Sequence, residues 1–130
     1  MTSAVDFEKI LLTTLRSSTD LQAVVGNRIY CLYIPQGAKM PCVSFQRIYG
    51  RPANTLMGAS GLEVIGVQID CWGRSLTDCK NAAKAVRAVM PASGPWGAHL
   101  DQDQDLYDGE TKYFRVLMEY TVWFCENAED

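Results

Sequence analysis

The residues best placed to do chemistry in this chain are one histidine, five cysteines and a run of carboxylates. The run reads Asp101-Gln102-Asp103-Gln104-Asp105, with Asp108 and Glu110 beyond it. D-x-D-x-D opens a calcium loop of the EF-hand type, which then needs glycine at its sixth position and a bidentate glutamate at its twelfth. Those positions hold Leu106 and Lys112, so the pattern fails. In an extended strand Asp101, Asp103 and Asp105 share one face, because successive side chains alternate. A weak cation site is one reading of that face. The other is a charged edge strand, which discourages sheets from joining edge to edge.

His99 stands near Asp101 in a polar segment. A Ser-His or Cys-His nucleophile pair would need a partner brought in by the fold. There is no G-x-S-x-G elbow, no H-E-x-x-H, no G-x-x-x-x-G-K-[ST] and no G-x-G-x-x-G. The five cysteines, Cys31, Cys42, Cys71, Cys79 and Cys125, are odd in number and show no C-x-x-C pair. Each falls in a predicted regular element. They read as reduced, buried small hydrophobes rather than a disulfide frame or a zinc site. No catalytic residue, cofactor site or metal site is expected, and the chain is read as not an enzyme.

The elements that must position these groups follow from periodicity. A first helix starts at Ser3, with Asp6 completing a capping box, and carries Phe7, Ile10, Leu11 and Leu15 on one stripe. Asp20 is the expected cap of one further turn, Leu21 to Val25, closed by Gly26-Asn27. A short extended segment begins at Arg28-Ile29-Tyr30 and ends at Pro35. Cys42 to Tyr49 is rich in strand formers. Gly50 to Gly61, GRPANTLMGASG, reads as a loop too long for a tight hairpin turn. Leu62 to Trp72 is the clearest strand, with Ile65, Val67, Ile69 and Cys71 on one face and Val64, Gln68, Asp70 and Trp72 on the other.

Ser75 and Asp78 form a second capping box. Leu76, Cys79, Ala83, Val86 and Met90 then share one helical face, and Pro91 ends that helix. Gly94-Pro95-Trp96-Gly97 reads as a turn. Ala98 to Asp108 is a polar edge strand. Phe114 to Phe124 alternates strongly, with Leu117 and Trp123 opposite the face of Val116, Met118, Tyr120 and Val122.

The order α-β-β-β-α-β-β predicts an α+β fold, a two-layer sandwich with a mainly antiparallel sheet and two helices on one face. Residues 1–125 form a single domain, and 126–130 an acidic, frayed tail. On the other face of the sheet, Trp72, Leu117 and Trp123 are apolar groups on a nominally solvated surface, which points either to a partner or to a sheet that curls and buries them itself. The 50–61 loop, with Arg51, Asn54, Thr55, Leu56 and Met57, is the second candidate interface. It is read either as a floppy hairpin loop or as a segment that orders on docking.

A chain of 130 residues with net charge -3 is one domain without a basic face by count, which disfavours phosphate-backbone binding. No stretch approaches the roughly 20 apolar residues of a membrane span. The first residues, MTSAVDFEKILLTTLRSS, lack the basic n-region of a secretory signal, so a reducing cytosol is expected.

The runs VVGNRIY (Val24 to Tyr30), IPQGAKMPCVSFQRI (Ile34 to Ile48), GLEVIGVQIDCWG (Gly61 to Gly73) and LYDGETKYFRVLMEYTVWF (Leu106 to Phe124) resemble the tail-completion proteins of long-tailed bacteriophages and prophages. These are also called tail-terminator or head–tail joining proteins. The resemblance spans roughly Leu11 to Phe124 and rests on order and spacing, not on a catalytic motif. It implies a non-enzymatic structural protein that caps the tail tube as a ring and joins tail to head. The ring is commonly a hexamer, and some members are monomers before assembly. The implied partners are other copies of the chain, the tail-tube protein and a head-completion or connector protein. DNA passes through the channel only, and no membrane and no cofactor is involved. The implied location is the host cytoplasm during assembly, then the head–tail junction of the virion. A ring needs two different patches on each subunit. Asp101, Asp103 and Asp105 are the candidate lumen-facing segment, since an acidic lumen avoids holding DNA. A small-molecule-binding or regulatory α+β module is the alternative, because fold alone does not decide function.

Overall fold

A computed structural model describes residues 4–55, 58–91 and 96–125. Three helices and five strands are seen there, in the order α1 (Ala4–Arg16), α2 (Thr19–Val25), β1 (Ile29–Cys31), β2 (Cys42–Thr55), β3 (Gly58–Gly73), α3 (Leu76–Val89), β4 (Trp96–Asp108) and β5 (Tyr113–Cys125). The sheet runs β1-β2-β3-β5-β4. Only β1 lies parallel to its neighbour, and the other three pairings are antiparallel. The α+β class and the mainly antiparallel sheet are as the sequence predicts.

The 3.6-residue stripe of α1 puts Phe7, Leu11 and Leu15 in the core, each at most 1% exposed. The expected capping box at Ser3 and the acidic tail 126–130 lie outside the described residues. The extra turn is a full third helix, capped by Ser18 rather than Asp20. Ser18 Oγ accepts the Leu21 N–H at 3.0 Å. Ser18 holds the extended backbone that an N-cap needs, while Asp20 is already inside the first turn, where its charge faces the positive helix end. Gly26 ends α2 at φ +60°, a conformation that a side chain resists.

Ser75 caps α3 as predicted, accepting the Asp78 N–H at 3.2 Å. Cys79, Ala82, Ala83, Ala85 and Val86 of α3 are buried, whereas Leu76 in its first turn remains exposed. One core cluster joins residues of all three helices to a single face of the sheet. That face carries Val43 and Phe45 of β2, Ile65 to Cys71 of β3 at alternate positions, and Val116 to Phe124 of β5 likewise.

Two expectations about the course of the chain are also overturned. The segment 50–61 is not a long loop. β2 and β3 form one long hairpin, with Gly50 opposite Ile65, Arg51 opposite Val64, Pro52 opposite Glu63, Asn54 opposite Ala59 and Thr55 opposite Gly58. Leu56 and Met57 lie outside the described residues. The Gly, Pro and Asn content reads as loop, yet irregularities between Arg47 and Tyr49 and between Pro52 and Asn54 absorb it. Proline is tolerated at bulges and on edge strands, and Pro52 meets both conditions.

Of the expected turn Gly94-Pro95-Trp96-Gly97, the first two residues lie outside the described residues, and Trp96 and Gly97 belong to a strand. Trp96 starts β4 and is 8% exposed. Its ring meets Phe7 edge-on at 5.8 Å, and Phe7 in turn meets Phe124 at 5.3 Å. The buried aromatic therefore anchors the edge strand to α1.

Candidate functional site

Alternation along β2, β3, β5 and β4 sends a second set of side chains to the face of the sheet opposite the helices. Trp72 lies beside Arg115, Asp70 between Ser44 and Leu117, and Gln68 between Gln46 and Glu119. Gly66 lies between Tyr49 and Thr121, and Val64 between Arg51 and Trp123. All three predicted apolar members, Trp72, Leu117 and Trp123, are on this open face, but their surroundings differ. Trp72 donates its indole N–H to Ser44 Oγ at 3.0 Å, and the Arg115 guanidinium stands 4.8 Å from its ring centroid. Leu117 is half-buried. Trp123 is 43% exposed.

Asp70 is the most enclosed charge of this face, at 6% exposure. Gln68 Nε2 donates to its Oδ2 at 2.9 Å, and Arg115 Nη1 lies 3.9 Å from the same oxygen. Oδ1 has no hydrogen-bond partner. Burial pushes the Asp70 carboxyl above its ordinary value, and the Gln68 hydrogen bond and the Arg115 charge offset that only in part. Trp72 and Arg115 also border a cleft of about 350 Å³ with Leu106, Tyr107, Asp108 and Tyr113. Trp72 and Tyr113 border a second, of about 250 Å³, with Ile34, Pro35 and Met40.

The acidic segment lies on β4, which is an edge strand as the sequence predicts. Its three carboxylates do not share a face. Asp101 is the extra residue of a bulge between Leu100 and Gln102. It accepts the Thr121 hydroxyl at 2.6 Å on the open face and lies 3.9 Å from His99. Asp103 and Asp105 point to the helix side, where Arg87 approaches Asp103 at 3.8 Å and Lys80 approaches Asp105 at 2.9 Å. Simple alternation fails here because one inserted residue reverses the facing of those before it. Among the described residues no cluster of three or more His, Cys, Asp or Glu side chains could hold a metal.

Arg51 is exposed, with its guanidinium 6.0 Å from the Tyr49 ring centroid. Asn54 and Thr55 are placed by backbone pairing alone. Six further exposed apolar residues escaped the sequence reading: Leu32, Tyr33, Ile48, Tyr49, Leu76 and Tyr107. Leu32 is 69% exposed and Tyr33 71%, and Leu32 takes φ +67°, unusual for a bulky residue. The signal for the first two was present as an apolar pair directly after β1. For Ile48 and Tyr49 the bulge hides the pattern.

Cys42, Cys71 and Cys79 are buried free thiols, as expected, but Cys31 is exposed on the short strand β1. Burial pushes Cys42 and Cys79 up to about 11 and Cys71 higher still. At those values the thiolate needed for nucleophilic attack is scarce at neutral pH. No described helix is long and apolar enough to cross a membrane.

A chain of the virion of a native gene transfer agent particle shares this fold. It superposes with a TM-score of 0.73 at 20% identity, over 87% of this chain and 90% of that one. No curated protein matches the chain. The family model described as tail completion protein gp17 matches residues 9–124. That match takes in α1 from Lys9 onward, α2, α3, the sheet to Phe124 and the open face, so this chain belongs to the tail completion protein gp17 family and is a structural protein of the phage tail.

Proposed function

We propose that this chain closes the head-proximal end of the tail tube as a ring and provides the surface to which the head attaches. The observation that carries this reading is the set of large apolar side chains left in solvent on a well-packed domain: Leu32, Tyr33, Ile48, Tyr49, Leu76, Tyr107 and Trp123. Exposed apolar groups gathered on strands and at their ends are what partner surfaces supply. Leu32 and Tyr33 follow β1, Ile48 and Tyr49 lie on β2, Leu76 on α3, Tyr107 on β4 and Trp123 on β5, so they fall in more than one patch, as a ring subunit requires. The tail-tube protein and a head-completion or connector protein are the other partners of this reading. A virion protein of a gene transfer agent with the same fold is consistent with a place in the particle.

The role needs no reaction. His99 is exposed and the buried thiols are held protonated, so the chain acts by shape and surface. Of the three predicted lumen residues Asp101 alone stands on the open sheet face, together with Arg51, Arg115 and the exposed Trp123, so that face is read as a partner surface rather than as an acidic channel lining, and Asp103 and Asp105 stay with α3.

Electron microscopy of particles assembled without this chain tests the reading. Overlong tails, or tails without heads, are the expected result. Normal virions would overturn it.

A further inference from the structure

Both edges of the sheet are open, and they are unlike. β1 covers only Val43 to Phe45 of the outer edge of β2. One more bond, from Leu32 N–H to the Phe45 carbonyl at 2.7 Å, ends that cover. From Gln46 to Thr55, among the described residues, β2 has β3 on one side and no strand on the other. At the far edge, β4 pairs with β5 alone. An uncovered edge of this length offers a row of unpaired backbone donors and acceptors, roughly 33 Å long at about 3.3 Å per residue.

We propose that these two edges join between neighbouring copies of this chain, β2 of one copy against β4 of the next, so that the sheet continues around the ring. The inference rests on the ring reading above and gives it a named contact.

Strand direction permits the contact. β2 and β3 are antiparallel, as are β3 with β5 and β5 with β4. β4 therefore runs opposite to β2. A rotation about an axis along the strands preserves direction, so β4 meets the next copy's β2 as an antiparallel pair, and no crossover is needed.

Charge selects the partner. The segment Trp96–Asp108 carries four aspartates and neither lysine nor arginine. The segment Cys42–Thr55 carries Arg47 and Arg51 and no carboxylate. Two β4 edges, or two β2 edges, would set like charges opposite one another, which is unfavourable.

Register then agrees on both faces. Antiparallel pairing that sets Arg51 opposite Asp101 also sets Arg47 opposite Asp105. Arg51 and Asp101 both stand on the open face, where Arg51 pairs with Val64 and Asp101 bonds Thr121. Arg47 and Asp105 both stand on the helix side, where they meet Glu63 and Lys80. Each interval holds one extra residue, Ile48 in β2 and Asp101 in β4. The two intervals therefore match in length. The exposed Leu32, Tyr33 and Ile48 lie along or beside the open β2 edge, where such a neighbour would cover them, while the Tyr49 ring leans the other way over Gly66.

The test uses an Arg51→Lys chain in purified tails, with a zero-length carbodiimide coupling amine to carboxylate. Within one copy β3 and β5 separate positions 51 and 101, roughly 14 Å at about 4.8 Å per strand. A link between them therefore joins two copies. The expected result is a two-copy band whose isopeptide maps to position 51 and Asp101 and which is lost in Arg51→Lys with Asp101→Asn. Arg51→Glu should lose ring occupancy of the tail end, and adding Asp101→Lys should restore it. A ring visible by electron microscopy whose links map elsewhere overturns the edge contact while the ring reading stands. Tails with no ring of this chain overturn both.

Discussion

The ring of Tyr49 occupies the space that a side chain on Gly66 would need. The two residues are cross-strand partners on the open face, with Thr121 on the other side of Gly66. Glycine weakens a strand interior but permits this close approach. Gly66→Ala should cost about 1–3 kcal/mol of stability, as overpacking does. The cost should shrink in a Tyr49→Ala background, where the space is free. Urea denaturation of the four members of the cycle measures the coupling. Equal costs in both backgrounds would show that backbone conformation, not the ring, sets the demand for glycine.

Trp72 and Trp123 should separate in a way that the sequence alone does not reveal. Both alternate onto the same face and both look like partner residues. Trp72 is half-buried, bonded to Ser44 and stacked with Arg115, whereas Trp123 is exposed. Trp72→Ala should destabilise the monomer by about 1–3 kcal/mol, less than the 3–5 of a fully buried aromatic. Trp123→Ala should stay within about 0.5 kcal/mol of the parent and impair tail completion. Thermal melts followed by circular dichroism, with a plaque or transfer assay alongside, read the two effects. A Trp123→Ala monomer that melts early would place that ring in the fold rather than at a partner.

The elements and most of the core were legible because they depend on period alone. Phe7, Leu11 and Leu15 share a helical stripe, and Ile65, Val67, Ile69 and Cys71 a strand face, wherever the rest of the chain goes. What was not legible depends on inserted residues and on neighbours distant in sequence. The bulges at Ile48 and Asp101 reverse facing without changing composition. Trp96 follows Gly94-Pro95 and reads as part of a turn until Phe7 is brought against it. The hairpin beyond Gly50 is held by pairing that its loop-like composition conceals. The candidate face was foreseeable through Trp72, Leu117 and Trp123. The open edge of β2 was not, because only the shortness of β1 leaves it bare.

Asp70 should make the fold sensitive to pH in the direction opposite to a salt-bridged carboxylate. Its folded-state value is raised by burial, so the folded chain holds the proton more tightly than the unfolded chain. Its contribution is complete below the unfolded value and is lost as pH rises through the folded one. The stability of the parent relative to Asp70→Asn should therefore fall as pH rises from about 3 to about 7. Melting curves of both chains across that range measure the difference. A difference that grows with pH would mean that the Arg115 charge outweighs desolvation at this site.

The thiols give a prediction that bears on the fold and on chemistry together. Cys31 is exposed, while Cys42, Cys71 and Cys79 are buried and held protonated by that burial. Burial raises Cys31 as well, so its reaction depends on access rather than on activation. Reaction with a maleimide on the native chain, followed by peptide mapping, should modify Cys31 well ahead of these three. The same three should become reactive on addition of denaturant, because burial is what protects them, Cys71 and Cys79 in the hydrophobic core and Cys42 on the other face opposite Trp72. Cys79 adds a local check, since its Sγ also lies 3.2 Å from the Phe114 carbonyl across the α3–β5 contact. If Cys79 reacted as fast as Cys31 under native conditions, α3 would be opening from the sheet without global unfolding. The packing of α3 over Val116 and Met118 would then be the weakest part of the domain.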